Sequence, residues 1–278
     1  MKRLAIGLSV SLLAALRGFA QSSPEPSDPI HSVPAFIQAQ EAPSPCRPLF
    51  STSAGITETN VLELEFGGQK LAQRDGSQSL LFPTQFNLGV ASWVDLRLGW
   101  SAHNRLQGVD GSRAEGFGDP QIGTQIRFLP QQACGVDLGL AYWHKFSLAS
   151  AHKGIGTGAS DDSAVLVLTR TSGNWVFDVN VGANWVGRAD DARGGRVRQP
   201  VGSFCATWLV ASGWNVTLDT YAIGATELSP TVISSILAVS RRISRDLTLD
   251  IAVESGLNQA APRLGLNAGL VWRMGRIK

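Results

Sequence analysis

The sequence predicts an all-β fold: a transmembrane antiparallel β-barrel of about 12 strands, with short periplasmic turns and long external loops. Three observations predict it. Stretches between residues 59 and 274 alternate apolar with small or polar side chains, the period of a strand that is apolar on one face only. Their connections are alternately short and long, a sorting that a soluble sandwich would not show. Seven of the eight tryptophans stand near strand ends, where amphipathic rings settle at a membrane boundary.

The segment 1–20 reads as an export signal, predicting a cleaved N-terminal signal and a multi-pass protein of the bacterial outer membrane. Lys2 and Arg3 give a basic start, 4–16 an apolar run, and Gly18 and Ala20 the small residues before a cut ahead of Gln21. The run is too short for a helical span, and Arg17 closes it. At 44% hydrophobic and 17% charged residues the chain is too polar for a helical membrane protein. A barrel resolves this, because half of each strand can face a polar lumen. Cleavage would remove Lys2, Arg3 and Arg17 from 24 basic residues, leaving 21 against 22 acidic ones. Nothing in that balance suggests a nucleic-acid surface.

Residues 21–57 form a Pro-rich periplasmic leader, carrying seven of the 13 prolines, too many for a helix or central strand. Its apolar patch 33–37 reads as part of a flexible tail, a docking element or plug being the alternative. The barrel occupies 58–278, with strands expected over 59–66, 79–90, 93–101, 117–129, 135–146, 162–171, 174–185, 200–210, 214–225, 231–241, 246–255 and 263–273.

Face parity follows from the period of two. Trp175, Phe177, Val179, Val181 and Trp185 face lipid, while Asp178, Asn180, Gly182 and Asn184 face the lumen. Leu247, Leu249, Ile251 and Val253 likewise oppose Thr248, Asp250 and Glu254. The stretches 164–168 and 236–239 resist assignment, being apolar on both faces.

Several short motifs resemble the outer-membrane transporter family named for the meta pathway of phenol degradation. They are Arg47-Pro48 with Ser51-Thr52-Ser53, then Leu62-Glu63-Leu64-Glu65-Phe66-Gly67, the hairpin 89–96, and Gly116-Phe117-Gly118-Asp119 running into Gln121-Ile122-Gly123. The resemblance implies a barrel that admits small, often hydrophobic, organic compounds. One departure is that the last strand runs into the basic tail 273–278 instead of ending on an aromatic residue. Independently of the family, the glycines at 116 and 118 suit a bulge or close strand approach at the start of the fourth strand.

The lumen-facing candidates by parity are Glu63, Glu65, Asp95, Arg97, Asp119, Arg127, Asp137, Lys145, Asp178, Asp219, Asp250 and Glu254, with Arg273 a further base. This acidic excess suits either a cation-favouring pore or a structural network of ion pairs. The function expected is a channel or transporter for small, hydrophobic or aromatic, organic compounds. A structural or adhesive barrel without transport is the alternative. Its partners would be outer-membrane lipid and lipopolysaccharide, a small organic solute, and the barrel-assembly machinery during biogenesis.

No catalytic, cofactor or metal site is expected. A lipid hydrolase would need His144 and Ser163 to meet on neighbouring strands. Asp161-Asp162 and Asp190-Asp191 read as solvated loop charge, with divalent-ion contact as the sharper alternative. Cys46 and Cys134 would lie on the same side of the membrane, in an oxidising compartment, and could pair. Cys205 would then stand alone in the wall.

Overall fold

The structure, a computed structural model, describes residues 47–188, 195–227 and 229–277. The signal 1–20, the patch 33–37, Cys46 and Asp190-Asp191 lie outside the described residues. The strands in chain order are β1 (Val61–Ala72), β2 (Gln78–Ala91), β3 (Val94–Gln107), β4 (Arg113–Gly116), β5 (Gln121–Leu129), β6 (Asp137–Lys145), β7 (Asp161–Ser172), β8 (Trp175–Gly187), β9 (Arg196–Leu209), β10 (Trp214–Ile223), β11 (Val232–Arg242), β12 (Leu247–Gly256) and β13 (Leu264–Arg276). Antiparallel pairing runs strand to strand around the wall, and β1 joins both β2 and β13, so the sheet closes. Closure leaves no unpaired edge to face hydrocarbon. Twelve strands make the wall, because β4 pairs only with β3 and forms a short hairpin beyond it.

β12 shows most plainly why this sequence makes a membrane wall. Thr248, Asp250, Ala252 and Glu254 are buried toward the lumen, while Leu249, Ile251 and Val253 alternate with them and are exposed on the outer face. At the short-turn end, the exposed rings of Trp93, Trp175, Trp208, Trp214 and Trp272 form a girdle. Within it Trp175 stacks on Trp208 at 6.2 Å and the Arg241 guanidinium lies 4.9 Å above Trp214. Trp185 stands near the opposite end of β8.

Four strands differ most in extent from their sequence patterns: β3 runs on to Gln107 and β9 starts already at Arg196, and β1 and β5 differ as follows. β1 runs to Ala72, past the glycines that blur its alternation. The strand expected from residue 117 begins at Gln121, because Phe117–Pro120 leaves the ladder and Pro120 brings no N–H to it. Close approach does occur there: the Gly118 amide donates to Ser101 O at 2.9 Å, and a Cβ at Gly118 would lie 2.9 Å from Ser101 Cβ. The basic C-terminus is put to use, since Arg273 and Arg276 both pair with Glu58 and the Ile277 amide donates to Asn60 O.

Candidate functional site in the lumen

Residues 47–58, the end of the stretch read as leader, lie inside the barrel. They descend around the inner wall as a collar and join β1 near its short-turn end. Arg47 starts the collar in a notch formed by the paired glycines Gly67 and Gly269, where a Cβ on either would run into its guanidinium. That group donates to Ala268 O at 3.3 Å and lies 3.6 Å from Asp250. Phe50 stacks on Tyr221 with centroids 4.1 Å apart and planes 9° from parallel. The Tyr221 hydroxyl donates to Glu254 at 2.6 Å.

The next residues replace water with wall side chains, as buried backbone must. The amides of Phe50 and Ser51 both donate to Asp219 Oδ2 at 2.8 Å. The Ser51 hydroxyl donates to Asp219 Oδ1 at 2.6 Å and sits 2.7 Å from Ser203 Oγ. Thr52 and Asn180 exchange two bonds, Thr52 N to Oδ1 at 2.8 Å and Nδ2 to Thr52 O at 2.9 Å. Gln125 Nε2 donates to the carbonyls of Ser53 and Gly55, and the Ala54 amide donates to Thr169 Oγ1, which itself donates to Asp178. Lower down, the Thr57 amide reaches Asp95 at 3.3 Å, and a Cβ on Gly89 would overlap the carbonyls of Thr57 and Glu58.

The collar explains the two strands that are apolar on both faces. In β7, Leu166 is 50% exposed outside, while Val167 is fully buried against Ala54 and Ala141. In β11, Leu237 is 55% exposed, while Ile236 and Ala238 are buried in a cluster with Tyr221 and Ala252 on which Leu49 packs. The inward apolar residues are seats for the collar, and the outward ones face lipid.

The parity candidates fall into four groups. Asp95, Asp178, Asp219, Asp250 and Glu254 are buried and hold the collar, directly or through Thr169, Arg47 and Tyr221. Arg97 grips Asp95 through two bonds of 2.9 and 3.1 Å. Glu63 and Glu65 are buried on the lumen face of β1, where Glu65 accepts from Asn87 at 2.7 Å. Arg127 and Asp137 sit at the short-turn rim, 3.9 Å apart, and staple turns through Ser92 O and the Gln131 amide.

Asp119 and Lys145 form the fourth group, at the long-loop end. Asp119 accepts from the amides of Leu148 and Ala149 at 2.9 and 2.7 Å and faces Lys145 at 3.8 Å. It therefore ties the loop 146–160 to the rim. Lys145 also pairs with Asp161 at 2.5 Å. Replacing Asp119 by Ala is expected to speed tryptic cleavage after Lys153 in the intact protein roughly tenfold, since two amides lose a charged acceptor. Limited proteolysis followed by mass spectrometry checks this.

The hydrolase arrangement is corrected by the register. His144 pairs across the wall with Asp162, while Ser163 pairs with Trp143. His144 and Ser163 therefore project from opposite faces, as residues out of phase must. His144 lies 2.8 Å from Asp162, which also accepts from Tyr142 and pairs with Arg196. Asp161 and Asp162 are thus engaged with protein groups. Cys134 is exposed in its turn, and Cys205 is buried in β9.

Above the collar, toward the long loops, lies a cavity of about 430 Å³. Its lining mixes Phe50, Trp143 and Val165 with Gln121, Ser163 and Asn180. A second space of about 270 Å³ continues toward Asp119 and Lys145. Such a lumen can hold a small amphipathic molecule and water together.

No protein-family model and no curated protein matches the chain. Solved structures do. An outer-membrane channel from Pseudomonas putida F1 is 12% identical with a TM-score of 0.63, the match covering 81% of this chain and 99% of that one. The porin NanC is 10% identical with a TM-score of 0.56, over 77% of this chain and 100% of its own. At such identities the likeness is one of fold, and the chain has the architecture of an outer-membrane β-barrel.

Proposed function

We propose that this protein is an outer-membrane channel for small organic solutes, with hydrophobic or aromatic compounds favoured, and that the collar sets its bore. One observation carries the reading: a mixed polar and apolar cavity of about 430 Å³ ends on a segment held by side chains rather than by the strand ladder. A merely structural barrel could fill its lumen with wall side chains. Here the filling comes from 47–58, which continues covalently into β1 and is otherwise held by side-chain bonds whose release would leave the strand pairing intact.

Uptake of radiolabelled toluene by whole cells tests the substrate class. Deleting the gene is expected to slow uptake, and restoring the full chain to recover it. Deleting 153–158 is expected to alter the rate at unchanged protein abundance, since this loop borders the external entrance. Equal uptake with and without the gene would favour a structural or adhesive barrel.

A further inference from the structure

Trp143 is the tryptophan that parity leaves outside the girdle, and it lies on the lumen side. It shares the face of Ala141, which is buried against Ala54, and it lines the cavity. Its indole lies across Gly123: a Cβ there would come within 2.5 Å of two ring carbons. The missing side chain lets the ring lie close to the wall. Among the described residues no other aromatic ring stacks on it.

The register continues this position around the lumen. Gly123 pairs with Trp143, Trp143 with Ser163, Ser163 with Asn184, and Asn184 with Gln199. One row thus carries an aromatic ring, then a hydroxyl, then two carboxamides. From Trp143 to Gln199 the row holds no ionisable group, while on the other side Gly123 pairs with Arg97, which lines the same cavity. Among the described residues the Ser163 hydroxyl has no protein hydrogen-bond partner, while Asn184 and Gln199 meet at 3.4 Å. Val165 and Ala141, each two residues from the row on its own strand, add apolar surface beside the ring.

We propose that Trp143, Ser163 and Asn184 form a binding site for neutral single-ring aromatic solutes bearing one hydrogen-bonding group. The solute's ring stacks on Trp143, and its polar group meets Ser163 and Asn184. A neutral polar group suits Ser163 and Asn184, which offer hydrogen bonds without charge, while Arg47, Glu65 and Arg97 stand elsewhere on the cavity lining. This inference rests on the channel reading and names the chemistry of its cavity.

Saturation-transfer NMR on the full chain in nanodiscs tests it, with benzamide against cyclohexanecarboxamide, which has the same polar group on a saturated ring. Benzamide is expected to bind several-fold more tightly to the wild type, and Trp143→Leu to weaken it roughly fivefold, the scale of one aromatic contact. Trp143→Phe keeps a ring and is expected to retain most of the binding, while Ser163→Ala weakens both amides alike. Heat-modifiable migration on gels verifies that each variant is folded. Equal benzamide binding by wild type and Trp143→Leu, or no preference over the saturated amide, overturns the site. Toluene uptake without benzamide preference defeats this inference alone, whereas benzamide binding without toluene uptake defeats the transport reading.

Discussion

Replacing Asp219 by Ala is expected to raise single-channel open probability sharply while leaving the barrel folded. Asp219 is fully buried and accepts three bonds from the collar, two from backbone amides and one from the Ser51 hydroxyl. Bonds to a charged group are worth about 1.5–3 kcal/mol each. Some of that is returned when water reaches the freed amides, so a net loss on the order of 3 kcal/mol is expected, about a hundredfold in the ratio of docked to released collar. The wall pairs of β10 with β9 and β11 are backbone bonds and survive. Planar-bilayer recordings at fixed salt measure the effect. Asp219→Asn, which keeps an acceptor without the charge, should fall between wild type and Ala.

The second large effect is expected where Arg47 enters its notch. Gly67 and Gly269 pair across the β1–β13 seam, and each leaves space that the guanidinium fills. A methyl group at either position must displace Arg47, at a cost of about 1–3 kcal/mol for an overpacked site. Gly67→Ala is therefore expected to open the channel about as strongly as Arg47→Ala. The double variant should lose less than the sum of the two single variants, because the clash with Arg47 is then gone while that with the Ala268 carbonyl, 2.5 Å from a Cβ at Gly67, stays. That non-additivity distinguishes a specific notch from general weakening of the seam. Open probability of the four proteins, recorded under one set of conditions, supplies the cycle.

The wall was legible in the sequence because its physics is local. A period of two with lipid on one face is visible in β8 and β12 residue by residue, and tight turns announce the hairpins. The collar was not legible, because its contacts are far apart in the sequence, several of them by more than a hundred positions: Ser51 to Asp219, Thr52 to Asn180, Ala54 to Thr169. Read alone, 47–57 looks like the rest of a proline-rich leader. The signal was on the opposite side of the contact. Val167, Ile236 and Ala238 are apolar residues turned toward a polar lumen, and a lumen of water gives them nothing to pack on. Their ambiguity was the mark of an internal occupant. The strand start at Gln121 was missed for a different reason: Gly116 and Gly118 suited a close strand approach from residue 117, which does occur, but Pro120 brings no N–H to the ladder.

Parity placed the buried acids on the lumen face without showing what they bind. An acidic excess read in isolation suggests ion selectivity. In the folded chain much of it meets backbone N–H groups and Arg47, so the same charge acts first as an anchor for the collar. Asp178→Asn together with Asp219→Asn is accordingly expected to change open probability as well as cation preference, which reversal potentials in a salt gradient separate.

A disulfide that locks the collar gives the most direct measurement. Ser51 Oγ and Ser203 Oγ lie 2.7 Å apart, close enough for cysteines at both positions to be joined. In a background where Cys46, Cys134 and Cys205 are serine, Ser51→Cys with Ser203→Cys should conduct less and open less often when oxidised than when reduced. A reducing agent added to the same bilayer should restore the events. Identical conductance and open probability in the oxidised and reduced protein, with the disulfide verified by mass spectrometry, would contradict a collar that sets the bore.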